Sequence, residues 1–253
     1  MKYERDNVFH DYRRWINDGG QYTSSVLALL HKSMKADANH AKRDGAGRWR
    51  PSLVGDPCDR KQMLSFLGEP STFYGNWYAW SGTWLHLAFQ TYLLDSYPGQ
   101  VDIEHVIRPK KGHLGVTGKA DWVWVGEEHW DGMLRIRSPH IGDFKSANNL
   151  NKVGIEPKPA HVMQLGYEMM TLGIHVGYLV YQNRLHGDVV TWRLEPEPGD
   201  YLAMQQRLAS LGKAARAGEL PGMLEVCRPM SGPVFKDCNF AEVCVARELG
   251  RPS

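Results

Sequence analysis

The segment Ile141-Gly142-Asp143-Phe144-Lys145-Ser146 carries a carboxylate and an ammonium two residues apart. In a strand, alternate side chains share a face, so Asp143 and Lys145 point one way and Phe144 points into packing. A carboxylate and an ammonium on one face can hold a divalent cation and steer a water beside it. A D-x-K pair is short and common, and by itself reads as a salt bridge. Its meaning depends on the residues around it: His86, Asp121, Gln164 and Tyr167.

The elements that must position these residues can be read from periodicity. Trp77, Trp80, Trp84, Leu85, Ala88, Phe89 and Tyr92 recur at helical spacing, and His86 falls just off that stripe. From Gly99 the period becomes two. Val101, Ile103, His105 and Ile107 alternate with Asp102, Glu104, Val106 and Arg108. A second strand runs from Leu114 to Val125, and a third from Met133 to Lys145, broken by Pro139. Together they predict an antiparallel meander. Asp121 shares a face with Val123 and Val125, where a carboxylate needs a partner. A helix is expected from about Ala160 to Leu172, closed by Gly173, with Gln164 and Tyr167 three apart on one face. Val176–Tyr181 and Asp188–Leu194 read as further strands, and Leu202, Met204, Leu208 and Leu211 as a last amphipathic helix. Thr23-Ser24-Ser25 reads as the N-cap of an early helix continuing through Leu30.

At 253 residues the chain is expected to form one domain. It divides into an N-terminal helical segment, 1–75, a core, 76–195, and a C-terminal helix with a cysteine tail, 196–253. The formal net charge is +2, which excludes a strongly basic histone-like binder but allows a local basic cleft. The loop around Arg48, Trp49 and Arg50 offers charge and a stacking ring to a nucleic acid strand, and Lys119 and Lys152 are weaker phosphate contacts. No apolar stretch follows the charged N-terminus and no window has membrane-spanning length. The chain is therefore expected in the cytoplasm, where four cysteines read as metal ligands or spare thiols rather than disulfides.

Four stretches, taken in order, resemble the RecB-type branch of the PD-(D/E)xK nuclease superfamily. They are Ser81-Gly82-Thr83-Trp84-Leu85-His86, Thr117-Gly118-Lys119-Ala120-Asp121, Gly142-Asp143-Phe144-Lys145-Ser146 and Gln164-Leu165-Gly166-Tyr167. Cys58 ahead of this core, and Cys227, Cys238 and Cys244 behind it, resemble the iron–sulfur subgroup, which includes the fourth CRISPR-associated (Cas) protein family. Ten residues separate Cys227 from Cys238, where the family has two or three.

The resemblance implies an α/β (α+β) fold: a restriction-endonuclease-like mixed β-sheet flanked by helices. A four-cysteine [4Fe-4S] cluster would join the N- and C-terminal segments, with zinc as the alternative occupant. It implies an Mg²⁺- or Mn²⁺-dependent DNA exonuclease acting on single-stranded ends, in recombination, repair or phage DNA processing. His86, Asp121, Asp143 and the Phe144 backbone carbonyl would hold the cation. Lys145 would orient or deprotonate a water, and Gln164 and Tyr167 would support it. With no helicase motif in the chain, unwinding would fall to a helicase or recombination partner. A non-catalytic DNA-binding adaptor and a zinc-stapled structural protein are the rival readings.

Overall fold

A computed structural model of the chain describes residues 1–6, 9, 12, 47–69, 77–125, 129–131, 134–136, 139–151, 153–228, 235 and 238–249. The helix expected from Thr23 and the phosphate contact expected at Lys152 lie outside these residues.

In chain order the elements are β1 (Lys2–Asp6), α1 (Pro51–Val54), α2 (Asp59–Phe66), α3 (Trp77–Ser96), β2 (Val101–Ile107) and β3 (Gly118–Trp124). There follow β4 (His129–Asp131), β5 (Leu134–Ile136), β6 (His140–Ala147), α4 (Pro159–Leu172), β7 (Gly177–Asn183), β8 (Val189–Glu195), α5 (Pro198–Ala217) and α6 (Ala241–Glu248). Six strands form one sheet in the order β1-β8-β7-β6-β3-β2. Only the β6–β7 pair is parallel, and α4 is the crossover between them. The expected third strand is two objects. β4 and β5 make a separate two-stranded ribbon, and the sheet strand begins at His140, after Pro139. Proline cannot donate to a ladder, so the strand starts beyond it.

Alternation along the strands divides the core. Val123, Ile141, Leu179 and Tyr181 pack with Val162 and Leu165 of α4 and Met204 and Leu208 of α5. Trp122, Trp124, Phe144, Tyr178 and Val180 pack against Phe89, Tyr92 and Leu93 of α3. The sheet is thus covered on both faces, as a parallel pair demands. Among the described side chains of α3 the buried apolar positions are Leu87, Phe89, Tyr92 and Leu93, whereas Trp84 is exposed. The aromatic stripe read from the sequence is therefore rotated there, which brings His86 towards the sheet. Two prolines start long helices at their first turn, Pro159 in α4 and Pro198 in α5, where the missing N–H costs nothing. Gly173 ends α4 in the left-handed conformation, with φ of 71°.

Gly142 stands directly opposite Trp122 in the β3–β6 ladder. A Cβ there would lie 1.7 Å from the indole ring, which is fully buried. The glycine before Asp143 therefore makes room for a tryptophan. Gly142→Ala should lower stability by about 1–3 kcal/mol through overpacking, measured by urea denaturation. An unchanged midpoint would show that the ring shifts freely.

Candidate active site

β3 and β6 pair at Trp124–His140, Val123–Ile141 and Trp122–Gly142 and then part. The next rung would set Asp121 against Asp143. Like charges directly opposite repel, and the ladder stops there. The Asp121 carboxylate instead accepts the Phe144 N–H through Oδ2 at 2.6 Å. In a strand the N–H and C=O of one residue point the same way, so the Phe144 carbonyl also faces the Asp121 side.

On the other flank, β2 and β3 pair at Ile103–Trp122 and His105–Ala120, which puts Glu104 across from Asp121. Glu104, Asp121 and Asp143 thus form a row of three acids across three neighbouring strands. Each has its own cationic partner. The Lys119 ammonium lies 3.2 Å from Glu104, His86 Nε2 3.1 Å from Asp121 Oδ1, and the Lys145 ammonium 2.8 Å from Asp143. Among the described residues, His86, Glu104 and Asp121 are the trio of His, Cys, Asp or Glu side chains whose ligand atoms all lie within 4.8 Å of one another. Gln90 ties this flank together, its amide donating to Glu104 Oε1 at 3.0 Å and lying 3.1 Å from His86 Nε2. Gly82, one turn before His86, permits close contact with β6, since a Cβ there would meet Ser146 Oγ at 2.9 Å.

From α4, Gln164 reaches into the site. Its Oε1 accepts from Lys145 at 3.1 Å, and its Nε2 donates to Asp143 at 3.1 Å and to Glu168 at 3.2 Å. Tyr167 does not join it. Its ring is fully buried in the core, and its hydroxyl is turned towards Arg207 and Asp59. The expectation that Gln164 and Tyr167 act together fails on this face. The side chain stacked over Gln164 is four residues on, at Glu168, as the helical repeat favours.

Burial and neighbouring charge set the protonation states. Burial, aided by Asp121, pushes the Asp143 carboxyl up to about 6 against the pull of Lys145. Burial, Asp143 and Asp121 hold Glu168 well above the usual carboxylate range. Asp121 is lowered: burial opposes its charge, but His86, Lys145 and the Phe144 N–H outweigh burial. Burial works to lower Lys145 and His86, yet the surrounding carboxylates raise both. Lys145 therefore stays an ammonium. Asp143 Oδ2 is buried near it but outside hydrogen-bonding angles, and Glu168 Oε2 is buried with no hydrogen bond. The imidazole and carboxylate donors of the His–Glu–Asp trio, with the Asp143 carboxylate one strand over, fit a hard divalent cation.

The remaining candidates are spread along the chain. Trp49 stacks on Phe66 with ring centroids 4.2 Å apart, so its ring is already occupied. Arg48 is exposed, and Arg50 precedes α1, whose Pro51 packs against Gly118 beside Lys119. Cys58 caps α2, its sulfur accepting the Lys61 N–H at 3.4 Å. Cys227, Cys238 and Cys244 come from the tail, and all four thiols line one cavity with Leu64 and Phe240. They do not crowd into single-ion range; no cysteine belongs to the trio that does. Burial raises the thiols of Cys58, Cys227 and Cys244. Arg60 crosses from α2 to the tail, donating to the Pro221 and Cys244 carbonyls at 3.1 and 3.4 Å and pairing with Glu248.

Sequence reasoning missed Glu104 and Glu168. Pairing the two strands of the β2–β3 hairpin would have exposed the first, and counting i, i+4 from Gln164 the second.

No protein-family model matches the chain, and no curated protein matches it. Solved structures do. The protein SSO0001 aligns over 85% of this chain and 94% of its own, with a TM-score of 0.52 and 17% identity. An alkaline exonuclease from Laribacter hongkongensis, LHK-Exo, aligns over 69% of this chain and 90% of its own, with a TM-score of 0.50 and 16% identity. The chain has the fold of these proteins. Among the described residues, no helix is long and apolar enough to cross a membrane.

Asp143 must be ionised to hold a cation, and its carboxyl protonates near pH 6. Proton and cation compete at Asp143 and also at His86, whose raised imidazole must lose its proton to bind. Mn²⁺ affinity should therefore rise with pH through about 6 and continue rising past the ordinary histidine range. Asp143→Asn should remove the part of that rise near pH 6. Calorimetric titration at several pH values checks both, and a flat profile in the unmodified protein would separate Asp143 from the cation.

Proposed function

We propose that the chain is a metal-dependent DNA exonuclease of the RecB-type PD-(D/E)xK branch, acting on single-stranded ends. The observation that carries this reading is the parting of β3 and β6, which leaves Asp121, Asp143 and Lys145 around one open rung with His86 and Gln164 at its rim. The fold shared with an alkaline exonuclease is consistent with it.

Asp121, Asp143, His86 and the Phe144 carbonyl would hold the cation, with Glu104 close enough to His86 and Asp121 to join them. A bound Mg²⁺ or Mn²⁺ supplies Lewis-acid polarisation of a phosphodiester and acidifies water beside it. The protein does the rest by positioning. Lys145, held as an ammonium by Asp143 and Gln164, orients the attacking water and stabilises charge developing on the phosphate; as an ammonium it has no lone pair with which to act as base. Gln164 fixes Lys145, and Glu168 fixes the Gln164 amide. Arg48, Arg50 and Lys119 would meet backbone phosphates. A DNA substrate would suit the cytoplasm of a bacterial or phage-infected cell, with a helicase partner for duplex ends.

The four thiols around one cavity would hold a metal centre that ties α2 to the tail. The likeness of the cysteine pattern to the iron–sulfur subgroup favours a [4Fe-4S] cluster over a tetrahedral zinc ion. Thiols raised by burial must lose their protons to bind it, so loading should release protons.

Lys145→Ala or Asp143→Asn should reduce release of nucleotides from end-labelled DNA by about 10²-fold or more, with folding unchanged by circular dichroism. Full activity in either variant would reject the nuclease assignment. Anaerobically purified protein should contain iron and absorb broadly in the visible, and Cys238→Ser should bleach it. A colourless protein with one zinc per chain would put zinc in the cavity.

A further inference from the structure

Glu104 is the one non-glycine residue with positive φ, 57°, among those described. In the row of acids it stands on β2 across from Asp121 of β3, and its carboxylate lies within reach of both His86 and Asp121. Yet Glu104 Oε2 is already taken, by Lys119 at 3.2 Å, while Oε1 is fixed by Gln90. Gln90 is buried and anchored also to the Asp121 carbonyl at 3.4 Å. Lys119 is different. Its ammonium is half exposed, on a stem free to swing into solvent.

We propose that Lys119 is a resident counter-ion of the cation site, which exchanges Glu104 for a DNA phosphate when a divalent cation enters. This rests on the nuclease reading. Without a cation, the Glu104 carboxylate needs a positive neighbour, and Lys119 supplies it. A divalent cation held by His86, Glu104 and Asp121 neutralises that carboxylate and repels the ammonium a few ångströms away. Lys119 then loses its partner at the edge of the site and gains one in any phosphate laid across it. Cation and DNA thereby strengthen each other's binding through one side chain, and by linkage the effect is reciprocal.

Mn²⁺ titration by calorimetry tests the exchange with the cation alone. Lys119→Met should tighten Mn²⁺ binding about two- to fivefold, the range of an exposed ion pair. Glu104→Gln should weaken it about tenfold, as loss of a metal-site partner does. The double variant should bind as Glu104→Gln does, because Lys119 competes only through Glu104. In a Lys145→Ala background, Mn²⁺ should raise affinity for a short single-stranded oligonucleotide, read by fluorescence anisotropy. Lys119→Met should reduce that gain and lower the salt slope by about one. Weaker or unchanged Mn²⁺ binding in Lys119→Met, or additive effects in the double variant, overturns the exchange. If Asp121→Asn abolishes Mn²⁺ binding while the Lys119 and Glu104 variants bind normally, the exchange fails and the cation site stands. If Asp121→Asn binds Mn²⁺ unchanged, the cation site itself fails.

Discussion

The structure turns on a repulsion. Continued one rung further, the β3–β6 ladder would place Asp121 against Asp143, and a third acid, Glu104, lies one strand beyond. The β2–β3 ladder resumes beyond Glu104, but the β3–β6 ladder does not close over Asp121 and Asp143. The strands part, the Phe144 N–H is released from the ladder, and Asp121 accepts it. That hydrogen bond holds the opening in shape, since it fixes the Asp121 side chain and aims the Phe144 carbonyl at the same space. Lys119, His86 and Lys145 then answer the acids one by one. The site is a cleft made by charge within a sheet otherwise made by packing.

The rest of the fold serves to keep this opening rigid. Below it, Trp122, Trp124 and Phe144 lock onto Phe89, Tyr92 and Leu93, so the strands cannot drift apart further. Phe144 stacks on Phe89 at 5.0 Å and lies 5.7 Å from the His86 ring, which couples the D-x-K strand to α3. Above it, α4 spans the parallel β6–β7 pair and lowers Gln164 onto Lys145 and Asp143. Tyr181, level with Lys145 on β7, is 2.9 Å from His161, whose imidazole burial and Lys145 keep neutral, down to about 3.

The cysteine cavity sits apart from this centre but is mechanically joined to it. Arg207 of α5 bonds the Val54 and Asp56 carbonyls and pairs with Asp59, which seats the turn that carries Cys58. Arg60, the second residue of α2, grips the tail at Pro221 and Cys244. Two buried or half-buried guanidiniums thus bring together segments more than 140 residues apart in the chain, the reach of Arg207 to Asp59 being 148 residues. A metal centre would close the same loop a third time.

Much of this was legible beforehand, because period and punctuation are local. The helix that carries His86, the alternation from Val101 and the glycine that ends α4 all act through neighbours within a few residues. So did the D-x-K pair, since two residues in a strand share a face by geometry alone. What the linear order could not decide was which strand lies beside which. Glu104 became a member of the site only when β2 was registered against β3, and Tyr167 left it only when the turn of α4 on the sheet was fixed, with Glu168 in its place. The Cys227 thiol lies on the same cavity as the others despite its long spacing because chain length between ligands sets entropy, not direction. Sequence determined which residues could carry charge, sulfur and bends; register and helix rotation decided which of them meet, because contacts across a sheet depend on partners that no local pattern names.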